Sequence, residues 1–308
     1  MRNTFSRRQF IGKTLKTGAA LSMVSNFPAI IHAATGTDID IAVARGDPAQ
    51  AVTLVVNALG GIQRFVKSGQ VVVLKPNMSF PNPPEWGSTT HPEVVKTVAQ
   101  LCLDAGAKRV VVLDHPLRRP EVVMRRAGIA QACQDMPNVY VLALSEQKFY
   151  QKVEIPNGKE LHEVEITKDV LQADVLINLP VAKSHMDTGV SFGMKNLMGL
   201  IWDRAYLHQF IDLNQGIADL NSVIKPDLII MDATRPMTTA GPGGPGKIVK
   251  LDTIIAGTDP VAVDSYTVPI AKWYGQQFSG QNVKYIKTAA AMNLGEIDIS
   301  KLNVKSIT

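Results

Sequence analysis

Cysteine is scarce in this 308-residue chain: there are two, Cys102 and Cys133, and no Cys-x-x-Cys run. A four-iron cluster takes four thiolates, so no iron–sulfur cluster is expected to be ligated by this chain alone. Both cysteines fall on the apolar side of helical patterns and read as buried thiols, with a disulfide between them left open for an oxidising compartment. A Gly-x-Ser-x-Gly elbow is missing, and neither cysteine has a flanking context that activates a thiol, so nucleophilic-triad chemistry has no support. His-x-x-x-His pairs are missing too. A metal site from His185, His208 and Asp232 is conceivable, but no spacing selects it and the metal stays unknown. Long apolar runs are lacking: no segment after residue 34 reaches the about 20 apolar residues of a membrane helix, so no permanent membrane span is expected. The run Gly241-Pro242-Gly243-Gly244-Pro245-Gly246-Lys247 has the outline of a phosphate loop. However, Ile248 stands where Ser or Thr would hold magnesium, and Pro242 and Pro245 remove backbone donors. It reads instead as a glycine-rich flap whose backbone can approach a ligand.

Acidic residues are absent from the first 34 positions, which hold Arg2, Arg7, Arg8, Lys13 and Lys16. Ser6-Arg7-Arg8-Gln9-Phe10-Ile11-Gly12-Lys13 resembles a twin-arginine export signal. A modestly apolar stretch, Thr17–Ile31, and the small residues Ala33-Ala34 follow it in the expected order. Residues 1–34 are therefore expected to be a signal peptide that engages the twin-arginine translocase, leaving residues 35–308 as one α/β domain in the periplasm or outside the cell. Without the five leader cations, 27 of the 32 basic residues remain against 27 acidic ones. The basic sequence pI of about 9.1 thus belongs to the leader, and the pull toward nucleic acid that a basic domain would imply disappears.

Residues that are present in abundance are β-branched. Strand-length runs at 39–44, 71–74, 110–113, 139–142, 175–179, 228–231 and 253–256 are nearly all apolar, as in parallel strands buried on both faces. Helical patterns lie between them at 48–66, 92–105, 120–134, 216–223 and 260–273. Four open on a proline, and Asp47 and Asp259 stand in capping position. Gly106 is placed to end the second. This alternation predicts a doubly wound, mostly parallel sheet, a Rossmann-like three-layer sandwich. The polar stretch 146–168, with Pro156-Asn157-Gly158, predicts a small β-hairpin insertion. Residues 79–90 predict a loop, and 189–202 a glycine-weakened helix.

Polar side chains gather just past the strand ends: Lys75 and Asn77, Asp114-His115, Lys183 and His185, Asp232, and Gly257-Thr258-Asp259. In open α/β sheets that edge is where ligands bind. Lysine supplies compact charge and arginine a planar fork for a carboxylate or phosphate. We therefore expect Lys75, Asn77, Lys183, Lys195, Asn196, Arg204 and Asp232 to bind a small anionic molecule. His185 and His208 are the candidate acid/base groups. On this reading Lys183→Ala would weaken the anion and leave the melting temperature nearly unchanged.

The same segments resemble one known family, the domain of unknown function 362. The matching pieces are Val72–Asn77, Thr90–Val95 with Ala105-Gly106-Ala107, Asn178–His185, Gly193–Gly199, Pro226–Ala233, Gly241-Pro242-Gly243 and Ala256–Asp264. The resemblance implies no assigned activity. Its members are often fused to ferredoxin-like iron–sulfur modules and many are exported or work in redox settings, so any such chemistry here implies a redox partner protein. A fainter likeness is to the N-terminal part of nickel-pincer lactate racemases, where a proline-led helix also ends in Ala-Gly before a strand. Two functions are expected to compete: an exported enzyme acting on a small anionic substrate, and a non-catalytic periplasmic ligand-binding or redox-enzyme maturation protein.

Overall fold

The computed structural model describes residues 38–307; the twin-arginine segment lies outside them. The elements in chain order are β1 (Ile41–Arg45), α1 (Pro48–Ala58), β2 (Val71–Pro76), α2 (Pro92–Asp104), β3 (Arg109–Asp114), α3 (Pro120–Arg126), α4 (Ile129–Cys133) and β4 (Val139–Ala143). Next come β5 (Tyr150–Glu154), β6 (Glu163–Thr167), α5 (Lys168–Gln172), β7 (Val175–Leu179), β8 (Val181–His185), β9 (Gly189–Ser191) and the short helix α6 (Gly193–Asn196). The chain continues with α7 (Arg204–Gln209), α8 (Leu213–Val223), β10 (Leu228–Met237), β11 (Thr253–Gly257), α9 (Pro260–Thr267), β12 (Lys272–Trp273), β13 (Gln276–Gln277), α10 (Lys284–Ala291) and β14 (Val304–Ile307).

The principal sheet runs β14-β1-β11-β10-β7-β2-β3-β4, with β8 and β9 attached to β10. Pairing is parallel from β10 through β4 and between β1 and β14. Successive side chains point to opposite faces of a strand, and the apolar runs fill both. Val72, Leu74, Val110, Val112, Ile177 and Ile230 pack with Val52 and Val55 of α1 and Val95 and Val98 of α2. Val73, Val111, Leu176, Ile229 and Met231 pack with Ile217 of α8, Val261 of α9 and Ile286 of α10. Helices thus cover both faces, as the alternation predicts, and β5–β6 form the expected antiparallel hairpin. Cys102 and Cys133 are unpaired and buried, with thiols pushed up by burial to about 12 and about 11.

Proline and capping residues open the helices where the sequence places them. The Asp47 carboxylate accepts from the Ala49 and Gln50 amides at 3.1 Å, and Asp259 accepts from Val261 and Ala262 at 2.8 and 3.0 Å. Helix ends differ from the apolar periodicity at glycine. α1 stops before Gly60 and Gly61, at φ +99° and +79°, and the helix expected over 120–134 divides at Gly128, φ +76°. An L side chain is strained in that region.

One directional expectation is corrected. β11 runs antiparallel to both β1 and β10. Its C-terminal residues Gly257, Thr258 and Asp259 therefore sit at the opposite sheet edge from the ends of β2, β3 and β7. Asp259 acts there as a helix cap and accepts from the Glu296 amide at 2.8 Å. The segment 189–202 is also not one helix. It is strand, one helical turn and a 3-10 turn, and Gly193 and Gly199 are used for close packing.

Candidate functional site

β2 and β7 lie side by side in register, with Lys75 opposite Asn178. Alternation turns both toward the layer where α6 packs. Asn196, at the end of α6, links them. Its amide nitrogen donates to the Lys75 carbonyl at 3.0 Å and to Asn178 Oδ1 at 2.8 Å. Its oxygen accepts from Lys75 Nζ at 3.3 Å and from Asn77 Nδ2 at 2.9 Å. α6 itself is anchored from below. Asp264 accepts the Gly193 and Met194 amides at 2.8 and 3.0 Å, and Asn178 donates to the Gly193 carbonyl at 2.8 Å.

At the end of β3, Asp114 pairs with Lys75 at 3.0 Å, both fully buried. It also accepts from Met78 N at 2.7 Å, Ser79 Oγ at 3.0 Å and His115 N at 2.9 Å. Gly199 closes over this pair. A Cβ there would stand 2.0 Å from Asp114 Oδ1 and 2.6 Å from Lys75 Cε, so only glycine allows the approach.

Lys183, on β8, donates to Asn77 Oδ1 at 3.0 Å and the Ser88 carbonyl at 2.7 Å. Its ammonium lies 5.0 Å above the Phe80 ring. The glycine-rich flap rests against the same strand. Gly241 N donates to Ser184 Oγ at 3.0 Å, and Asn82 holds the Gly243 carbonyl at 2.6 Å. Lys195, also buried, has a single hydrogen-bond partner among the described residues, the Met198 thioether at 3.5 Å. Arg204 forms no ion pair among the described residues, yet its charge acts on Lys75, His115, Lys195 and His208. It therefore lies within electrostatic reach of both the Lys75–Asp114 pair and Lys195.

The histidines divide by tautomer. His185 Nδ1 accepts the Asp187 amide at 3.2 Å, which leaves the proton of the neutral ring on Nε2. Its ring stacks on His208 at 5.9 Å, and His208 Nδ1 lies 3.5 Å from Asp187 Oδ2. The structure also brings in a histidine outside the expected set. His115 Nδ1 lies 3.0 Å from the Ile201 carbonyl, an acceptor only, so Nδ1 carries the proton. Its ring stacks on Trp202 at 5.3 Å with Tyr150 alongside. The Asp114-His115 pair was visible at a strand end, but only the packing of Trp202 against it separates it from a turn.

Asp232 does not join the cluster. Its carboxylate is taken up by Arg235 Nη1 and His91 N at 2.8 Å, and by Thr234 N and Oγ1 at 3.0 and 2.6 Å. It holds the start of α2 instead of facing a ligand. The three-residue metal combination of His185, His208 and Asp232 is accordingly not assembled. Among the described residues, no group of three or more His, Cys, Asp or Glu side chains is placed to hold a metal ion. Nor is any helix among them long and apolar enough to cross a membrane.

A family model described as Domain of unknown function (DUF362) matches residues 72–269. The chain belongs to the DUF362 family. A thylakoid-associated protein of Synechocystis sp. (strain ATCC 27184 / PCC 6803 / Kazusa) is 31% identical over 229 residues, which cover 68% of this chain and 69% of that protein. The lactate racemase apoprotein of Thermoanaerobacterium thermosaccharolyticum superposes with a TM-score of 0.47 and 15% identity, over 75% of this chain and 57% of that one. Nothing about the site follows from so slight a likeness. The span matched by the DUF362 model contains the whole cluster, from Lys75 to Asp264.

Electrostatics in this DUF362 chain follow from burial. Desolvation lowers Lys183 to about 7, with Lys195 and Lys75 lowering it further against the pull of Asp114. Lys195 falls to about 7 for the same reason, with Arg204 opposing its charge and Asp187 favouring it. Burial, then Lys195, His208 and Lys183, drive His185 to about 2, so its ring is neutral. Desolvation leads for Lys75 as well, which is lowered although Asp114 supports its charge. Four buried or mostly buried cations thus face one buried carboxylate, Asp114, that is already paired. Lys183 is also structural. Its loss would leave Asn77 Oδ1 and the Ser88 carbonyl unsatisfied, so the expectation that Lys183→Ala spares stability is withdrawn.

Proposed function

We propose that this protein binds, and acts upon, a small anionic ligand between Arg204, Lys183 and Lys195. The observation that carries this reading is the excess of buried positive charge. Among the described residues Lys195 is buried with a thioether as its one hydrogen-bond partner, and Arg204 makes no ion pair, its charge supported by Asp114 only at a distance. An isolated buried cation costs several kcal/mol, and an arriving carboxylate or phosphate removes that cost. Near-neutral charge beyond residue 34 makes the field local, which suits a small ligand and not a polymer. The test is thermal unfolding with phosphate, sulfate, oxalate and lactate. At about 100 times its Kd, a true ligand raises stability by about 2.7 kcal/mol. Arg204→Gln should lose that response. An unchanged response in the variant, or none with any anion, overturns the reading.

Export belongs to the same proposal. Arg7-Arg8, the apolar stretch after them and the acid-free leader support delivery by the twin-arginine translocase to the periplasm or beyond. Arg7→Lys with Arg8→Lys should strand the protein in the cytoplasmic fraction; unaltered fractionation would refute it. A second reading, a carrier or redox-enzyme maturation factor, has one observation in its favour: the 31% identical relative is itself named as thylakoid-associated. A redox partner would then supply any iron–sulfur cluster. Ligand turnover separates the two readings, because a carrier returns its ligand unchanged.

A further inference from the structure

We infer that Lys195 is a nucleophilic amine that forms an imine with the carbonyl carbon of a small 2-oxo acid held at the anion site. This rests on the anion-site reading and goes beyond it by naming a substrate class and a covalent step.

The assignment comes from comparing the partners of the three buried lysines. Lys75 is committed to Asp114 at 3.0 Å. Lys183 donates to Asn77 Oδ1 at 3.0 Å and the Ser88 carbonyl at 2.7 Å, acceptors that hold an ammonium. Among the described residues Lys195 Nζ has only Met198 Sδ at 3.5 Å, and a thioether is a weak acceptor. Its electron pair is therefore uncommitted once the proton leaves. Lys195 is only 7% exposed and close enough to Arg204 and His185 to interact with both. Burial, with Arg204 adding to it and the Asp187 carboxylate opposing it, brings Lys195 to about 7, and desolvation of this kind activates a lysine amine, so neutral amine is present at neutral pH.

The surroundings meet the other needs of the step. The Arg204 fork matches a carboxylate and lies within electrostatic reach of Lys195, so one small molecule can offer its acid group to the first and its carbonyl to the second. The Lys195 nitrogen adds its electron pair to the carbonyl carbon, forming the C–N bond. The two amine protons pass to the carbonyl oxygen through solvent water, and the C–O bond breaks as water leaves. Amine and carbonyl give imine and water, with no oxidant or reductant consumed.

The test uses glyoxylate, the smallest 2-oxo acid, so that steric exclusion cannot explain a negative. The exported chain is treated with glyoxylate and sodium cyanoborohydride, which reduces imines to stable secondary amines. Intact mass should show one adduct, peptide mapping should place it on Lys195, and oxalate should compete. Labelling should be half-maximal near pH 7, where exposed lysines need a pH of about 10. Lys195→Arg, and Lys195→Met if arginine proves too large to fold, should lose the adduct while retaining a native circular dichroism spectrum. Labelling spread over exposed lysines, or undiminished in these variants, overturns the inference. If glyoxylate fails to label while oxalate still stabilises the chain, the imine falls and the anion site stands. If no anion stabilises the chain, both fall.

Discussion

Asp114→Ala should lower the stability of this protein by about 3–5 kcal/mol, the usual effect of removing one partner from a buried ion pair. The expectation follows from what the carboxylate holds. Lys75, fully buried, would lose its counter-ion at 3.0 Å. Met78 N, Ser79 Oγ and His115 N would lose an acceptor at the same time. No water can take its place easily, because Gly199 packs directly over the pair. Urea unfolding followed by circular dichroism gives the number. Adding Lys75→Met to Asp114→Ala should recover part of the loss, since the unpaired buried ammonium is then gone. A loss below about 1 kcal/mol in the single variant would mean that Lys75 already reaches solvent.

The second large effect is on pH. Lys183 and Lys195 have an ordinary value of 10.5 and stand near 7 in the folded chain. Between those values the unfolded chain binds more protons than the native one, so stability must rise with pH across that interval. Asp264 has the opposite sense: burial raises it from 3.8 to about 7, so its stabilising protonated form is lost as pH approaches 7. Cys102, ordinarily at 9.0 and raised to about 12 by burial, begins to oppose the lysines above 9. The clean window is therefore pH 7 to 9. There the melting temperature of the unliganded protein should climb. Anion affinity should move the other way, because the ligand prefers the ammonium forms. It should fall about tenfold per pH unit for each lysine whose charge is needed. Lys195→Met should raise the melting temperature at pH 7, roughly halve the upward slope and weaken the anion response. Differential scanning calorimetry with and without oxalate reads all three. A flat or falling curve for the unliganded protein between pH 7 and 9 would exclude deprotonation of the two lysines.

The two effects share one cause. Lysine side chains with no adequate partner are unstable in a protein interior, and sequences keep them where function repays the strain. Lys75 has found a structural partner. Lys183 has found two neutral ones. Lys195 and Arg204 have the fewest among the described residues, and the proposed ligand chemistry is placed at them for that reason.

Much of the architecture was legible from residue order. Periods of two and of 3.6 are local properties, and β-branched runs such as Val71–Leu74 and Val110–Leu113 form strands wherever their neighbours lie. Proline after Asp47 and Asp259 marks helix starts through contacts two or three residues away. Parallel strands separated by helices follow from the alternation, and with them the polar edge that holds Lys75, Asn77, Lys183 and His185. Strand direction was less legible. The run 253–256 has the same composition as its parallel neighbours, but β11 runs the other way, because direction depends on the connection and not on the run. That reversal removed Asp259 from the polar edge.

Partner choice is what the tertiary structure alone decided. Asp114 and Asp232 both follow apolar strands, and nothing in either segment shows that one would meet Lys75 and the other Arg235. Asn196 reaches Lys75 across 121 positions of sequence, and Asp264 reaches Gly193 across 71. Such contacts depend on register and packing summed over the whole sheet. The order of residues along this chain determined that Lys75, Asn77, Lys183 and His185 would follow the apolar runs at one edge of an α/β sheet. Only the fold decided which of those charges would be neutralised, since a buried charge is defined by the atoms within a few ångströms of it and those come from distant segments.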